Sequence, residues 1–149
     1  MKGVIFMLYC MSVDSIYNRL YPNLKKVLCL ETAAAHLGLS RGWGIPVKFY
    51  HDSEDYIINS AYLVGLKKNT MEEVSTINIR GIECTSKEYT LIDLINNSER
   101  VDDQIIYESL ATYYYENNGD ITKLSSLISE DSRQRFDYYL EGAESYYDE

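Results

Sequence analysis

The chain has 149 residues, 46% of them hydrophobic, and a formal net charge of −9, which is enough apolar material for one domain with its own core. No apolar run approaches the about eighteen residues of a membrane span. An acidic chain is also poorly matched to duplex DNA or RNA backbone, which calls for clustered Lys and Arg.

The charge is uneven. Residues 1–98 carry ten acids and ten bases, whereas residues 99–149 carry thirteen acids against four bases. The whole excess therefore lies in the last third. Such a segment suits docking on a basic protein surface, where complementary charge speeds encounter, or it serves only to keep helices soluble.

The opening "MKGVIFMLYCMSV" couples one lysine to an apolar stretch but lacks a small-residue cleavage site. A packed strand or helix is expected there rather than a secretory signal. Asp14 can cap "SIYNRLY", with Ile16, Tyr17 and Leu20 on one face until Pro22 interrupts. "ETAAAHLGLS" reads as a second helix stopped by Gly38. His36 within it reads as a satisfied, half-buried imidazole. "IPVKFYH" alternates Ile45, Val47 and Phe49 against Pro46, Lys48 and Tyr50, the period of a half-buried strand. "YIINSAYLVGL" fits either a strand or a short helix. In "STINIRGIECT" the pair Arg80-Gly81 can turn a hairpin between two strands.

Helices are expected from Thr85 onward. Thr85 and Glu88 have capping-box spacing, followed by a stripe of Leu91, Leu94 and Ile95 flanked by Ile92. Asp102 can cap the next helix, in which Ile106, Leu110, Tyr113 and Tyr114 share a face. Gly119 ends it, and Asp120 starts a short one with Ile121, Leu124, Leu127 and Ile128 turned inward. The last helix stripes Phe136, Tyr139, Leu140, Ala143 and Tyr147. The expected fold is α+β: a small mixed sheet with N-terminal helices and a C-terminal set of about four helices. A single domain is expected, with residues 1–26 as an extension, 27–84 as a helix and small sheet, and 85–149 as the helical part.

No phosphate-loop, dinucleotide, nucleophile-elbow or zincin motif occurs. Cys10, Cys29 and Cys84 are odd in number and widely spaced, so they read as buried thiols in a reducing, cytoplasmic setting. The adjacent acids Glu54-Asp55 and Asp102-Asp103 read as a solvated loop and a helix start rather than a cation site. Asp93 stands among apolar neighbours with no histidine or second acid nearby in sequence, so a structural hydrogen bond near the Thr85–Thr90 turn is expected of it. No catalytic residue, metal site or cofactor is expected. Eight of the fifteen tyrosines fall in residues 99–149. Successive helical residues are about 100° apart, so at least one of Tyr113, Tyr114 and Tyr115 is expected to be exposed or interfacial. Tyrosine suits interfaces, which makes Tyr113, Tyr114, Tyr115, Tyr146 and Tyr147 candidate partner contacts. Asp102, Asp103, Glu108, Glu116 and Glu144 would set the field around them.

The order "LETAAAHLGLS", short strands, "INIRGIECTSKEYTLIDLI" and "ESLATYYYENNGDITKLSSL" resembles the AbiEi abortive-infection antitoxins of type IV toxin–antitoxin pairs, over about residues 27–147. Ala33, Ala35, Gly38, Leu39 and Ser40 fit the family's segment before the sheet, with His36 one place early. Ser86, Glu88, Thr90, Leu91 and Asp93 fit its helix-start pattern, with Lys87 where proline is common. Glu108, Leu110, Tyr113, Asp120, Ile121 and Leu124 follow its later rhythm. The resemblance implies that Asp93 belongs to a helix start that anchors the C-terminal domain. Members usually carry an N-terminal promoter-binding winged helix. Fewer than thirty residues precede the matching region, without a basic recognition helix, so only the toxin-countering domain is expected, with no specific DNA binding. The implied function is a non-enzymatic bacterial antitoxin for phage defence, whose partner is a nucleotidyltransferase-type toxin or its pathway. An acidic inhibitor from a mobile element, seated in a nucleic-acid-binding groove, is the alternative. A small enzyme with dispersed acids is a third reading.

Overall fold

The computed structural model describes residues 23–41, 46–54 and 62–146. The expectations for the opening stretch, the Asp14 helix, Cys10, Ile45, Asp55 and Tyr147 lie outside those residues. Five strands build one mixed sheet: β1 (Val27–Leu28), β2 (Val47–His51), β3 (Leu63–Lys67), β4 (Thr76–Ile79) and β5 (Ile82–Thr85). Their order is β3-β2-β1-β5-β4. β1 runs antiparallel to β2 and parallel to β5, β2 and β3 are parallel, and β4 and β5 are antiparallel. The helices are α1 (Leu30–His36), α2 (Lys87–Asn96), α3 (Asp103–Glu116), α4 (Thr122–Ser126) and α5 (Glu130–Glu144). α1 packs on β2, β5 and α2, while α2, α3 and α5 pack on one another. The α+β class is as expected.

The hairpin forms where the sequence places it. Arg80 (φ 56°) and Gly81 (φ 81°) are both left-handed, which gives the turn a twist matching that of its strands. Asn78 Oδ1 accepts from Gly81 N at 3.0 Å and fixes it. β1 is not foreseen by the sequence pattern. It is two residues long, too short for any periodicity to register, yet it lies at the centre of the sheet. Alternation puts Tyr50 on the outer face of its strand, but the residue is buried, so β2 is covered on both faces.

The α2 cap differs from the expected Thr85–Glu88 box. Thr85 ends β5, and Ser86 is the N-cap, its side chain accepting from Tyr89 N. Thr85 Oγ1 instead lies 2.6 Å from Thr90 Oγ1, and Thr90 also donates to the Thr85 carbonyl. Both threonines are fully buried, and with the Thr90 proton given to that carbonyl the Thr85 hydroxyl donates to Thr90 Oγ1, which closes the strand–helix junction. α3 ends with Asn118 (φ 54°) in the left-handed position one residue before Gly119. Hydrogen bonds from Asn118 N to Tyr115 O and from Gly119 N to Tyr114 O close it.

The helical core is Leu91, Leu94, Ile95, Ile106, Leu110 and Phe136, all essentially inaccessible. Each such side chain contributes about 1.5–3 kcal/mol relative to exposure. Leu127 departs from its expected inward position and is 54% exposed. α4 is only five residues long, and the chain leaves helical phase after Ser126, so Leu124 and Ile128 point inward while Leu127 does not.

Candidate functional site

Two regions gather chemistry. The first lies where β2 meets the start of α1 and the turn after α2. Tyr50 Oη donates to Asp93 Oδ2 at 2.5 Å across the buried interface of β2 and α2. Lys68, just past β3, sets its ammonium 4.7 Å from the centre of the Tyr50 ring and 5.6 Å from that of Tyr89, a cation–π arrangement favoured by desolvation. Beside Tyr50 opens a cavity of about 250 Å³, near the small end of ligand pockets. Leu30, Leu66 and Val101 supply its apolar walls, and Lys48, Asn97 and Arg100 join Tyr50 as its polar lining.

The charges around this cavity are distinct. Lys48 Nζ donates to Glu31 Oε1 at 2.9 Å, and Glu31 Oε2 lies equally near the ammonium. Arg100 makes no ion pair among the described residues. Asn97 Nδ2 donates to the Asp93 carbonyl at 2.8 Å, which fixes the amide at the end of α2. Burial raises the Asp93 carboxyl above the usual carboxylate range, against the Tyr50 hydrogen bond and the Lys68 charge. Burial, with Asp93 next, also pushes the Tyr50 phenol well above its ordinary value. With its phenol held protonated and its carboxyl occupied by that phenol, the pair forms a hydrogen-bonded brace rather than a base or nucleophile. Leu30 adopts φ 52° while buried in the cavity wall. Such a left-handed bulky residue persists only where its surroundings hold it, as they do around ligand sites.

The second region is the outer surface of α3–α5. Most of the acids expected to face a partner are engaged within the fold. Asp102 caps α3 through Gln104 N, and Asp103 accepts from Tyr139 Oη at 2.7 Å. Glu108 accepts from Arg41 N at 2.7 Å, and Glu116 pairs with Lys87 at 2.8 Å. Only Glu144 of that set is exposed without a partner among the described residues. Tyr113 is buried, Tyr114 packs against Gly119 and Tyr146 is half-buried, whereas Tyr115 is 51% exposed. Glu88, of the helix-start set, pairs with Lys123 at 2.8 Å. Burial opposes the Glu88 charge, but the Lys123 hydrogen bond, a backbone hydrogen bond and the charges of Lys123 and Lys87 together outweigh it, and its carboxyl sits low.

Of the outer ridge of α5, sequence reasoning named only Glu144. Glu130, Asp137, Glu141 and Glu144 lie along it with Tyr138, which is 63% exposed. The signal was present: burial of Phe136, Tyr139 and Ala143 forces positions 137, 138, 141 and 144 outward. The arginines of α5 do not neutralise this ridge. Arg133 donates to Ser125 Oγ and O, and Arg135 donates to the Ile95 and Asn96 carbonyls at 3.3 Å. They satisfy the carbonyl ends of α4 and α2, where a cation is favoured.

Among the described residues no group of three His, Cys, Asp or Glu side chains is placed to hold a metal ion. No described helix is long and apolar enough to cross a membrane. No family model matches the chain, and no curated protein matches it.

Proposed function

We propose that the chain is a non-enzymatic, antitoxin-like protein of bacterial phage defence, acting in the cytoplasm to counter a nucleotidyltransferase-type toxin through the outer ridge of α5. The observation that carries this reading is the uncompensated charge of that ridge. Asp137 and Glu141 are four residues apart and Glu141 and Glu144 three apart, spacings at which like charges repel. The two arginines of the same helix are turned to backbone carbonyls instead. A helix that keeps such repulsion beside an exposed tyrosine is suited to meet a basic surface. The resemblance to AbiEi antitoxins supplies the toxin class. Type IV suppression proceeds without a stable toxin complex, so the surface met by the ridge belongs to the toxin's target in that case.

The test is growth rescue when the chain is co-expressed with a nucleotidyltransferase-type toxin encoded beside it. The parent should rescue, and a folded Tyr138→Ala variant should lose most of the effect. Rescue by Tyr138→Ala equal to the parent's would remove the ridge from the mechanism. The same acids support a second reading, an inhibitor seated in a nucleic-acid-binding groove. That reading requires the chain to compete with nucleic acid for its partner.

A further inference from the structure

We propose that the cavity beside Tyr50 is a binding site for a small monocarboxylate with an apolar body, a function separate from that of the α5 ridge. Its polar groups converge from two separate parts of the chain. Lys48 and Tyr50 come from β2, and Asn97 and Arg100 come from the turn after α2. Leu30, Leu66 and Val101 close the remaining sides with carbon.

The charges select the ligand. Lys48 is already balanced by Glu31 at 2.9 Å, so Arg100 is the cation in the lining without a counter-charge among the described residues. A guanidinium presents a planar fork that matches the two oxygens of a carboxylate. The Glu31 carboxylate beside Lys48 disfavours a dianion such as phosphate, which also calls for more donors than one fork and one amide provide. A cationic ligand would meet Arg100 and Lys48 unfavourably. A neutral one would gain nothing from the charge of Arg100, which is exposed to water. The three apolar walls then call for a hydrocarbon or aromatic body, and a cavity of about 250 Å³ is smaller than drug-sized ligands occupy.

The site is also fixed in advance. Tyr50 is held by Asp93 at 2.5 Å and capped by Lys68, and Asn97 is anchored to the end of α2. Leu30 keeps its left-handed backbone in the wall. Such fixed groups reduce the ordering that a ligand must impose.

Phenylacetate, hexanoate, phenylacetamide and inorganic phosphate, titrated to about 10 mM into the isotope-labelled full chain, form the test, since millimolar affinity is the weakest that still marks a site. The two carboxylates should shift the NMR signals of Tyr50, Asn97, Arg100 and Val101 saturably, and phenylacetamide should not. Arg100→Gln, at an exposed position outside the core, should weaken phenylacetate by about tenfold or more, the loss expected of a charge-assisted pair. Leu66→Phe, which fills the cavity and leaves Arg100 in place, should abolish the shifts. The proposal is overturned if no carboxylate shifts these signals, if the amide binds as well as the acid, or if phosphate binds more tightly than phenylacetate. Equal binding by the folded Arg100→Gln chain overturns it too.

Discussion

Asp93 sits between two opposing effects. Burial favours its neutral form, while the Tyr50 hydroxyl at 2.5 Å and the Lys68 ammonium favour the charged one, and burial prevails. A carboxyl raised in the folded state holds its proton to higher pH than the unfolded chain does. Its contribution to stability is therefore complete below the ordinary carboxylate value of about 4 and is lost as pH rises through the raised value. Asp93→Asn keeps an acceptor for Tyr50 and removes the charge, so at neutral pH it should match or exceed the parent in stability. Asp93→Ala orphans the Tyr50 hydroxyl and should lose about 1–2 kcal/mol. Chemical denaturation at about pH 7 and about pH 4.5 checks both, and the Asn variant should show the flatter pH profile. Equal loss in the two variants would mean that the fold requires the ionised carboxylate. The sequence marks Asp93 as anomalous but not its partner. Tyr50 is 43 residues away on a strand whose alternation points it outward, and no local pattern encodes that meeting.

At the scale of elements, legibility follows the range of the forces. The β4–β5 hairpin, the Asp102 cap and the stripes of α2, α3 and α5 arise within a few residues of chain, and periodicity and turn chemistry reveal them. β1 and the cavity depend on contacts between distant segments, and nothing local signals them. Gly142 is a case of the second kind. In the last turn of α5 it looks like a defect, since glycine inside a helix lies up to about 1 kcal/mol below alanine in helix propensity. Across the interface the ring of Tyr107 on α3 occupies the space that a Cβ would take, and the same ring meets Tyr139 with centroids 5.3 Å apart. Gly142→Ala should therefore destabilise by about 1–2 kcal/mol, the overpacking penalty exceeding the propensity gain. In a Tyr107→Ala background the same change should become stabilising. A thermal-melt double-mutant cycle measures this, and additive effects would show that the ring is not what excludes alanine.

For the whole molecule, the question is what its uneven charge does. In the neutral part some acids meet bases, Glu31 with Lys48 and Glu54 with Lys67, and across to the helices Lys87 meets Glu116 and Glu88 meets Lys123. Along α5 they do not, and the two arginines of that helix are committed to the carbonyl ends of its neighbours. The ridge thus repels itself, by about 0.2–0.5 kcal/mol per like-charged pair. Glu141→Lys replaces both repulsions with attractions, to Asp137 four residues before and Glu144 three after, and puts a cation in the C-terminal half of the helix where the dipole favours it. It should raise the melting temperature by about 1–3 °C at low salt, a gain that shrinks as salt screens the charges. Under the proposed function the same substitution should weaken growth rescue, because it breaks the field that draws a basic partner. Glu73→Lys, an equal change of charge at an exposed site in the 3-10 turn Met71–Glu73, should leave rescue near the parent's and so separates the ridge from net charge. A more stable Glu141→Lys chain that rescues less well would mark the ridge as a surface kept for binding at the expense of stability. If it is more stable and rescues fully, the acids of α5 serve solubility, and protection must come from the neutral two-thirds, around Lys48, Lys67, Lys68, Arg80 and Lys87.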